Sequence, residues 1–383
     1  MTTRPYNFSP GPAIIPQPVM EQAAQAVLGL PAFRGLSVLE ISHRLPEFEA
    51  IVAETTARLK ALMRIPDTHV VVWLQGGARG QFAQVPLNWL RAGASAGYVD
   101  TGVWASAAYE DAKTLGDARL LASGKAEGYT VLPDLAAVDA PAGLAYVHTT
   151  SNNTIYGTQW RTAPEVAAAA QAGTPDAVAA SFERRFEGTP HVCDISSDIL
   201  SRDFDVGRFA MLYAGTQKNA GIAGLTVCVI EKAFMDAARS DIPSIWQYRV
   251  QHANDSMYNT PPTFAIYCTL LTLRWIEAEG GVAGLAARNT RKADALYAAI
   301  DGSGGFYRAN IRTAAHRSQM NVTWRLPSED LEKRFIAEAE AAGLHHLKGH
   351  RKAGGLRASL YNALPEVAVD ALVSFMDGFR KRH

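Results

Sequence analysis

The sequence has few cysteines, no excess charge of either sign and no long apolar run, and each absence excludes a class of protein. Its three cysteines, Cys193, Cys228 and Cys268, are isolated and odd in number, which excludes a paired disulfide framework and a metal-type spacing. Lysine plus arginine and aspartate plus glutamate balance at 37 each, so no overall field attracts nucleic acid or an anionic membrane. No stretch approaches the roughly 18 uninterrupted apolar residues of a membrane span. We therefore expect no metal, no nucleic-acid partner and no membrane partner.

The bulk composition is that of a soluble globular protein. Apolar residues make up 48% and charged residues 19% of the 383 positions, which are ordinary proportions. The chain is too long for one compact core, so two domains are expected. The first ten residues have no apolar segment, and we expect no secretory signal. Reduced, buried cysteines favour a cytoplasmic location.

Short apolar runs that end in glycine or polar residues alternate with helical patterns along most of the chain. Helical spacing predicts helices from near Pro18, from Pro46 to about Met63, from about Gln81, and from Thr263 to about Glu279. The apolar runs predict strands at 70–74, 96–100, 144–148, 191–193, 209–213 and 225–230. This alternation favours an α/β layer with a mainly parallel sheet. The polar residues that follow the strands then lie where such sheets bind ligands.

Two segments do not follow this alternation. Ala163 to Gly188 is alanine-rich and polar and is interpreted as a helical surface insertion with no assigned role. The chain after Pro261-Pro262 has an α+β pattern and is predicted to form a second, smaller domain.

Lys218 lies in a glycine-containing turn between two apolar runs, an unusual position for a solvated lysine. A buried lysine loses its proton readily, and a neutral amine is the form that condenses with an aldehyde. Asp194 ends the preceding predicted strand, so it would lie at the same sheet edge and could pair with a protonated pyridine nitrogen. Alone, the lysine could be an ordinary surface residue and the aspartate a cap for the turn at Ser196. Together they favour a pyridoxal-phosphate (PLP) site.

Three further features fit a flat, phosphorylated cofactor, although each also has an ordinary structural explanation. Trp104 follows a predicted strand in a glycine-containing turn, where an indole could stack on a ring, but tryptophans more often fill cores. Thr154 offers a hydroxyl after Asn152-Asn153. The segment Gly76-Gly-Ala-Arg-Gly80 joins a strand to a helix, and free N–H groups there form an anion cradle. It is not a P-loop.

Several basic residues stand in turns and could bind anions despite the zero net charge. They are His43, Arg44, His350, Arg351 and Arg357. The planar fork of arginine suits carboxylate and phosphate groups. Each residue alone is also explained as a surface charge.

Taken in order, the motifs resemble the phosphoserine aminotransferases, a family of the class V, fold type I PLP enzymes. The matching segments are Asn7–Ala13, Ile41–Arg44, Gly76–Phe82, Ser151–Gly157, Asp194–Arg202, Ala214–Asn219, Tyr258–Phe264, Leu347–Arg351 and Gly355–Ser359. The resemblance covers nearly the whole chain. It implies a large domain, residues 17–262, with a mainly parallel seven-stranded sheet, and a smaller α+β domain formed by residues 1–16 and 263–383.

The resemblance also implies a role for each residue. Lys218 would hold PLP as a Schiff base and act as the general base, Asp194 would pair with the pyridinium, and Trp104 would stack on the ring. The ring substituents and the cofactor phosphate would be held by Thr154, Gln217 and the backbone of Ala78-Arg79, with Asn259 and Thr260 reaching over from a second subunit. The expected assembly is thus a homodimer with shared active sites.

The substrate roles follow the same family pattern. Arg357 would take the α-carboxylate, and the phosphate or the glutamate side-chain carboxylate would meet His43, Arg44, Arg79, His350 and Arg351. The implied reaction is ping-pong transamination between glutamate and 3-phosphohydroxypyruvate, giving O-phospho-L-serine and 2-oxoglutarate. A phosphorylated hydroxythreonine of vitamin B6 biosynthesis is a second possible substrate.

The sequence departs from the family pattern at two places and leaves two alternatives open. The Ala163–Gly188 connection is longer than in many members, and the family varies at the position of Arg79. One alternative is another class V enzyme, such as an alanine–glyoxylate-type aminotransferase or a cysteine desulfurase. The other is a non-catalytic PLP-binding protein. A comparison of activity on amino acceptors with and without a phosphate distinguishes the first alternative from a phosphoserine aminotransferase. The second alternative predicts that the absorbance of the bound cofactor does not change when glutamate is added.

Overall fold

The computed structural model describes residues 4–135, 138–139, 141–161 and 185–383. Most of the predicted surface insertion, Ala163 to Gly188, therefore lies outside the described residues. Among those that are described, no helix combines the length and apolar character needed to cross a membrane.

The helices of the described residues are numbered in chain order. They are α1 (Gln17–Leu28), α2 (Pro46–Met63), α3 (Gly77–Trp89), α4 (Val103–Lys113), α5 (Lys232–Asp236), α6 (Tyr248–Ala253), α7 (Thr263–Ala278), α8 (Gly281–Asp301), α9 (Glu329–Ala341) and α10 (Glu366–Arg382). Helix α2 shows why such segments are helical. Pro46 occupies its first turn together with two glutamates, and Phe48, Ile51, Val52, Thr55 and Leu59 form one buried face, as the 3.6-residue period requires.

The strands form one large sheet and two small ones. They are β1 (Tyr6–Asn7), β2 (His69–Gln75), β3 (Ser95–Asp100), β4 (Asp117–Ser123), β5 (Val147–Thr150), β6 (His191–Asp194), β7 (Met211–Gly215), β8 (Leu225–Glu231), β9 (Arg308–Ala309), β10 (Asn321–Arg325), β11 (Leu344–His345) and β12 (Leu356–Ser359). The large sheet has the order β2-β8-β7-β6-β5-β3-β4. Within it β8 runs antiparallel to both of its neighbours and the other pairings are parallel. The predicted α/β class with a mainly parallel seven-stranded sheet is confirmed.

Several predicted boundaries were wrong in detail. Helix α3 begins at Gly77 and not near Gln81, because Gly76 adopts a left-handed conformation (φ 99°) that turns the chain directly from β2 into the helix. The predicted place of Trp104 was also wrong: this residue lies in the first turn of α4 and not in a turn before that helix. Strand β5 covers Val147–Thr150, later than the predicted 144–148. Strand β4 was not predicted at all.

Two apolar cores lie on either side of the predicted domain division. Among the described residues, the larger sheet and its helices carry two apolar clusters, which together are called the first core. The second core combines Phe8 and Ile14 with α8, β10 and α10. Strand β1 also pairs with β11, which favours grouping residues 1–16 with the C-terminal part. Helix α7, however, buries its side chains in the first core. The division after residue 262 stays a prediction, and this packing favours a boundary beyond α7.

Lys292 of α8 is a buried lysine that holds the turn after β12. It is 1% exposed, and its Nζ donates to the carbonyl oxygens of Leu360 (2.6 Å), Tyr361 (2.8 Å) and Leu364 (3.1 Å). Burial lowers the pKa of Lys292 to about 7. Three carbonyl acceptors match the three N–H donors of an ammonium group, so this side chain fixes the turn that carries Tyr361.

Replacing Lys292 with methionine is expected to destabilise the protein by about 3 kcal/mol, because three buried carbonyl groups would lose their donor. The urea midpoint of unfolding measures the effect. A matched control is Lys381→Met, at an exposed lysine of α10, which should change the free energy of unfolding by less than about 0.5 kcal/mol. Equal midpoints for the two variants would contradict this interpretation.

Candidate functional site

The carboxyl ends of three neighbouring strands of the large sheet, β5, β6 and β7, bring predicted site residues to one edge. Strand β6 ends at Asp194, which is in register with Thr150 of β5 on one side and Tyr213 of β7 on the other. Lys218 follows β7 by three residues, and Thr154 follows β5 by four. Parallel strands that end together place such residues side by side.

A cavity of about 440 Å³ opens at this edge. Six of the residues predicted to bind a cofactor line it, namely Ala78, Arg79, Trp104, Asp194, Gln217 and Lys218. Gly11 and Pro12 from the N-terminal segment, and Ser196, also contribute to its wall. The cavity is therefore built from the strand ends, the start of α3 and the start of the chain.

Lys218 is held at the cavity wall by one hydrogen bond. Its Nζ donates to Thr154 Oγ1 at 2.9 Å. The pKa of Lys218 is lowered to about 8, because burial and the charge of Arg357 outweigh the opposing charges of Asp194 and Asp198. A neutral amine is therefore accessible near physiological pH, and that form is the nucleophile and base.

Asp194 is almost fully buried, with 5% of its surface exposed. Its Oδ1 accepts hydrogen bonds from the backbone N–H (2.8 Å) and the hydroxyl (2.6 Å) of Ser196. Burial raises the pKa of Asp194, while Lys218 and Ser196 act in the opposite direction. Both bonds go to one carboxylate oxygen, so the other oxygen, Oδ2, is free of Ser196. Asp194 can therefore cap the turn at Ser196 through Oδ1 and pair with a pyridine nitrogen through Oδ2 at the same time.

Ser196 was missed by sequence reasoning as a site residue. Its hydroxyl accepts a hydrogen bond from the backbone N–H of Gly215 at 3.1 Å while donating to Asp194. It therefore fixes the carboxylate against the end of β7. The spacing Asp-x-Ser, typical of a side chain that caps the backbone two residues later, could have identified it.

The start of α3 forms an anion cradle beside Gln217. Gly215 approaches this helix end so closely that an added Cβ would lie 3.2 Å from the backbone nitrogen of Ala78 and 2.6 Å from Gln217 Oε1. Among the described residues, Gln217 Oε1 is buried and has no hydrogen-bond partner. Free N–H groups at a helix N-terminus bind phosphate, so this helix end fits a phosphorylated ligand. The amide oxygen of Gln217 is an acceptor and needs a donor group from that ligand.

Arg357 meets Lys218 at Thr154. It lies in β12, is 5% exposed, and its Nη1 donates to the backbone carbonyl of Thr154 at 3.0 Å. Within the described part of the chain its Nε is buried without a partner, which leaves donors for a carboxylate. Burial lowers the pKa of Arg357, although a guanidinium stays charged.

His350 and Arg351 lie in a tight loop next to β12. The carbonyl of His350 accepts from the backbone of Ala353 (2.9 Å) and Gly354 (2.7 Å). Burial, with the charges of Arg357 and Arg351, lowers the pKa of His350. Arg325, which the sequence did not single out, donates from Nη2 to the carbonyl of Ala353 at 2.7 Å. The loop thus presents positive charge close to Arg357 and is anchored from β10.

Five predicted residues are not brought to the centre of this site within one chain. Arg79 lines the cavity but is exposed and forms an ion pair with Asp111 at 3.2 Å. His43 and Arg44 precede α2, and Asn259 and Thr260 precede α7. These four residues are absent from the lining of the cavity.

The chain is similar to known proteins over nearly its whole length. The family model described as aminotransferase class-V matches residues 5–372. The phosphoserine aminotransferase of Herpetosiphon aurantiacus is 46% identical over 98% of both chains, and that of Geobacillus kaustophilus is 45% identical over 99% of both.

Solved structures show the same likeness. Phosphoserine aminotransferase from Bacillus circulans subsp. alkalophilus superimposes with a TM-score of 0.90 at 42% identity, covering 100% of this chain and 99% of that one. PLP-bound phosphoserine aminotransferase from Trichomonas vaginalis gives a TM-score of 0.84 at 31% identity, covering 98% of this chain and 100% of that one.

Proposed function

Because the chain belongs to the class V aminotransferase family, we propose that it transfers the amino group of glutamate to 3-phosphohydroxypyruvate, giving O-phospho-L-serine and 2-oxoglutarate. This is the reaction of phosphoserine aminotransferase, the name borne by its relatives. The reaction belongs to serine biosynthesis. The observation that carries the proposal is the junction at Thr154, whose hydroxyl accepts from Lys218 and whose carbonyl accepts from Arg357.

The cofactor is pyridoxal 5′-phosphate, and the residues present fit it. Lys218 supplies an amine with a lowered pKa, Asp194 a buried carboxylate, and α3 with Gln217 an anion cradle. When bound, the cofactor supplies an aldehyde that accepts the amino group and a ring that withdraws electrons from the substrate α-carbon. We assign Trp104 to the ring face and Thr154 to a ring substituent.

The chain's own residues divide the work of the reaction. Arg357 binds the substrate α-carboxylate through its free donors, which orients the α-carbon. Lys218 Nζ removes the proton from the substrate α-carbon as a general base. It then delivers this proton as a general acid, which completes a 1,3-proton shift. Asp194 keeps a positive charge on the ring nitrogen, and Ser196 keeps Asp194 in place. Each half of the ping-pong cycle uses the same residues.

The distal anion of either substrate is assigned to one basic group. We propose that His350, Arg351, His43 and Arg44 receive the phosphate or the glutamate side-chain carboxylate. The support within this chain is that the positive charges of Arg357 and Arg351 act on His350. Arg79 is kept as a weaker member, because Asp111 already engages its guanidinium. A phosphorylated hydroxythreonine substrate is a second proposal for the same group.

Purified enzyme mixed with glutamate and 3-phosphohydroxypyruvate should give phosphoserine, detected by mass spectrometry. An acceptor of the same length without the phosphate should react at least about ten-fold more slowly, since charge-assisted bonds to phosphate contribute roughly 1.5–3 kcal/mol. Equal rates would favour the alanine–glyoxylate-type alternative. The desulfurase alternative is disfavoured already, because Cys193, Cys228 and Cys268 are at most 2% exposed.

Replacing Arg357 with lysine should lower kcat/KM for both substrates by about 10–100-fold, because the charge remains but the two-pronged carboxylate contact is lost. Steady-state kinetics measure the change, which should appear mainly in KM. Arg334→Lys, at an exposed arginine of α9, is the matched control and should be silent. An unchanged KM in Arg357→Lys would remove this residue from the substrate site.

We further propose a homodimer with shared active sites and a cytoplasmic location. Large apolar side chains are exposed beside the unplaced site residues: Leu36 (46%) and Leu39 (58%) near His43, and Tyr258 (40%) next to Asn259. Such exposure favours a protein interface. The three free, buried cysteines fit a reducing compartment.

A shared site predicts that two inactive variants restore each other. Lys218→Ala chains mixed with Asn259→Ala/Thr260→Ala chains and refolded together should regain about one quarter of wild-type activity, because half of the dimers are mixed and each contains one intact site. Activity and light scattering measure recovery and assembly. Failure to recover activity in verified mixed dimers would place Asn259 and Thr260 in their own chain's site.

A further inference from the structure

A second cavity lies in the C-terminal part of the molecule and has an unusual charge. It measures about 610 Å³, and its lining includes Arg308, Arg312, Arg317 and Arg325 but only one acid, Asp301. It shares no lining residue with the cavity at Lys218. Four arginines facing one acid create a local positive field in a chain that has no net charge.

Two of these arginines stand directly opposite each other on neighbouring strands. Arg308 of β9 and Arg325 of β10 are register partners in an antiparallel pair. Directly opposite residues project to the same face, and like charges there repel. The arrangement therefore has an electrostatic cost that a bound anion would remove.

Two of the guanidinium groups are already fixed in position. Arg317 binds Asp301 through two bonds, of 2.6 and 2.9 Å, and donates from Nε to the carbonyl of Ile311 at 3.0 Å. Arg325 donates to the carbonyl of Ala353 at 2.7 Å. A site whose donors are held before binding loses less entropy when a ligand arrives.

The other two guanidinium groups keep their charge available. In the described chain, Arg308 and Arg312 have no acidic partner within 4.0 Å, and both are exposed. Arg325 has Glu332 at 3.4 Å, outside the lining of the cavity. The acids nearby thus neutralise only part of the positive charge.

We propose that Arg308, Arg312, Arg317 and Arg325 form a second anion-binding site, for a small molecule that carries a phosphate monoester. A dianionic phosphate matches both the surplus charge and the planar donor fork of arginine. The cavity volume is in the range of small-molecule sites. This site shares no lining residue with the cavity at Lys218 and does not depend on the reaction proposed above.

Equilibrium dialysis of the cofactor-loaded enzyme with radiolabelled inorganic phosphate tests the proposal at low ionic strength and neutral pH. The wild type should bind one more phosphate per chain than Arg308→Ala/Arg312→Ala. The control Lys333→Ala/Arg334→Ala removes the same charge from exposed positions of α9 and should bind as the wild type does. Transamination should be unchanged in both variants, which confirms that they are folded.

Two results would overturn the proposal. Equal phosphate stoichiometry in the wild type and Arg308→Ala/Arg312→Ala would show that these arginines are simply solvated. An equal loss in the α9 control would show a response to total charge and no specific site. The extra phosphate should also be lost as salt is raised, since exposed charges are screened.

Discussion

Lys218→Ala is expected to abolish turnover, with kcat reduced by at least about 10⁴-fold, because the variant loses both its nucleophilic amine and its general base. Thr154, Arg357 and Asp194 would keep their other contacts, so substrate should still bind. Product formation from glutamate and 3-phosphohydroxypyruvate, followed by mass spectrometry over hours, measures the residual rate. An excess of a small primary amine in solution should restore a part of it.

The control for this variant is Lys232→Ala, an exposed lysine at the start of α5, which should leave kcat unchanged. Circular dichroism establishes that both variants are folded. Wild-type transamination by Lys218→Ala would refute the assignment of this lysine as base. Loss of activity in Lys232→Ala as well would point to a general effect of removing lysines.

Asp194→Asn is expected to lower kcat by about 10²–10³-fold, since a preorganised charge at the reacting centre is lost while the shape is kept. An amide oxygen can still accept from Ser196, so the turn at the end of β6 should survive. Steady-state kinetics measure the loss. Asp203→Asn, at an exposed aspartate paired with Arg64, is the matched control and should behave as the wild type does.

Asp194→Asn should also shift the pKa of Lys218, and the negative charge of Asp194 determines the direction of the shift. The negative charge of Asp194 raises the pKa of Lys218, which burial lowers to about 8. Removing that charge should therefore lower the Lys218 pKa further. In the chain freed of cofactor, the rate of PLP capture, followed by absorbance, should rise with pH around a midpoint near 8. The midpoint should be lower in Asp194→Asn; a higher one would contradict the assigned interaction.

The spacing of apolar residues predicted those helices and strands in which apolar side chains form one buried face. Helix α2 has the predicted bounds, Pro46–Met63, because its buried residues repeat at helical spacing. Strand β5 was placed too early because hydropathy follows the apolar run that ends at Val147. The strand continues through Thr149 and Thr150, which pair with β6 and are buried. Polar residues of a central strand give no apolar signal.

Strand β4 was missed for a related reason. It is an edge strand, Asp117–Ser123, whose side chains are largely exposed or half-buried. Its sequence, Asp-Ala-Arg-Leu-Leu-Ala-Ser, has neither alternation nor a continuous apolar run. The strand exists because β3 offers it a parallel partner, and pairing with a distant segment is not visible in local sequence.

The candidate site was predictable where a residue's type matched its chemistry. Asp194 ends β6, Lys218 and Trp104 follow β7 and β3, and all three line one cavity. Ser196, Arg325 and Lys292 act on backbone groups or on other side chains, so their contribution depends on contacts across the fold.

The pairing of β1 with β11 has a consequence for synthesis of the protein. Residues 6–7 pair with residues 344–345, which are synthesised 338 positions later in the chain. At about 5–20 residues per second, the first segment must wait roughly 20–70 s for its partner strand. During that time Phe8, which is fully buried in the finished molecule, stays exposed. The cavity wall at Gly11 and Pro12 is therefore expected to be completed only after residues 344–345 have been synthesised.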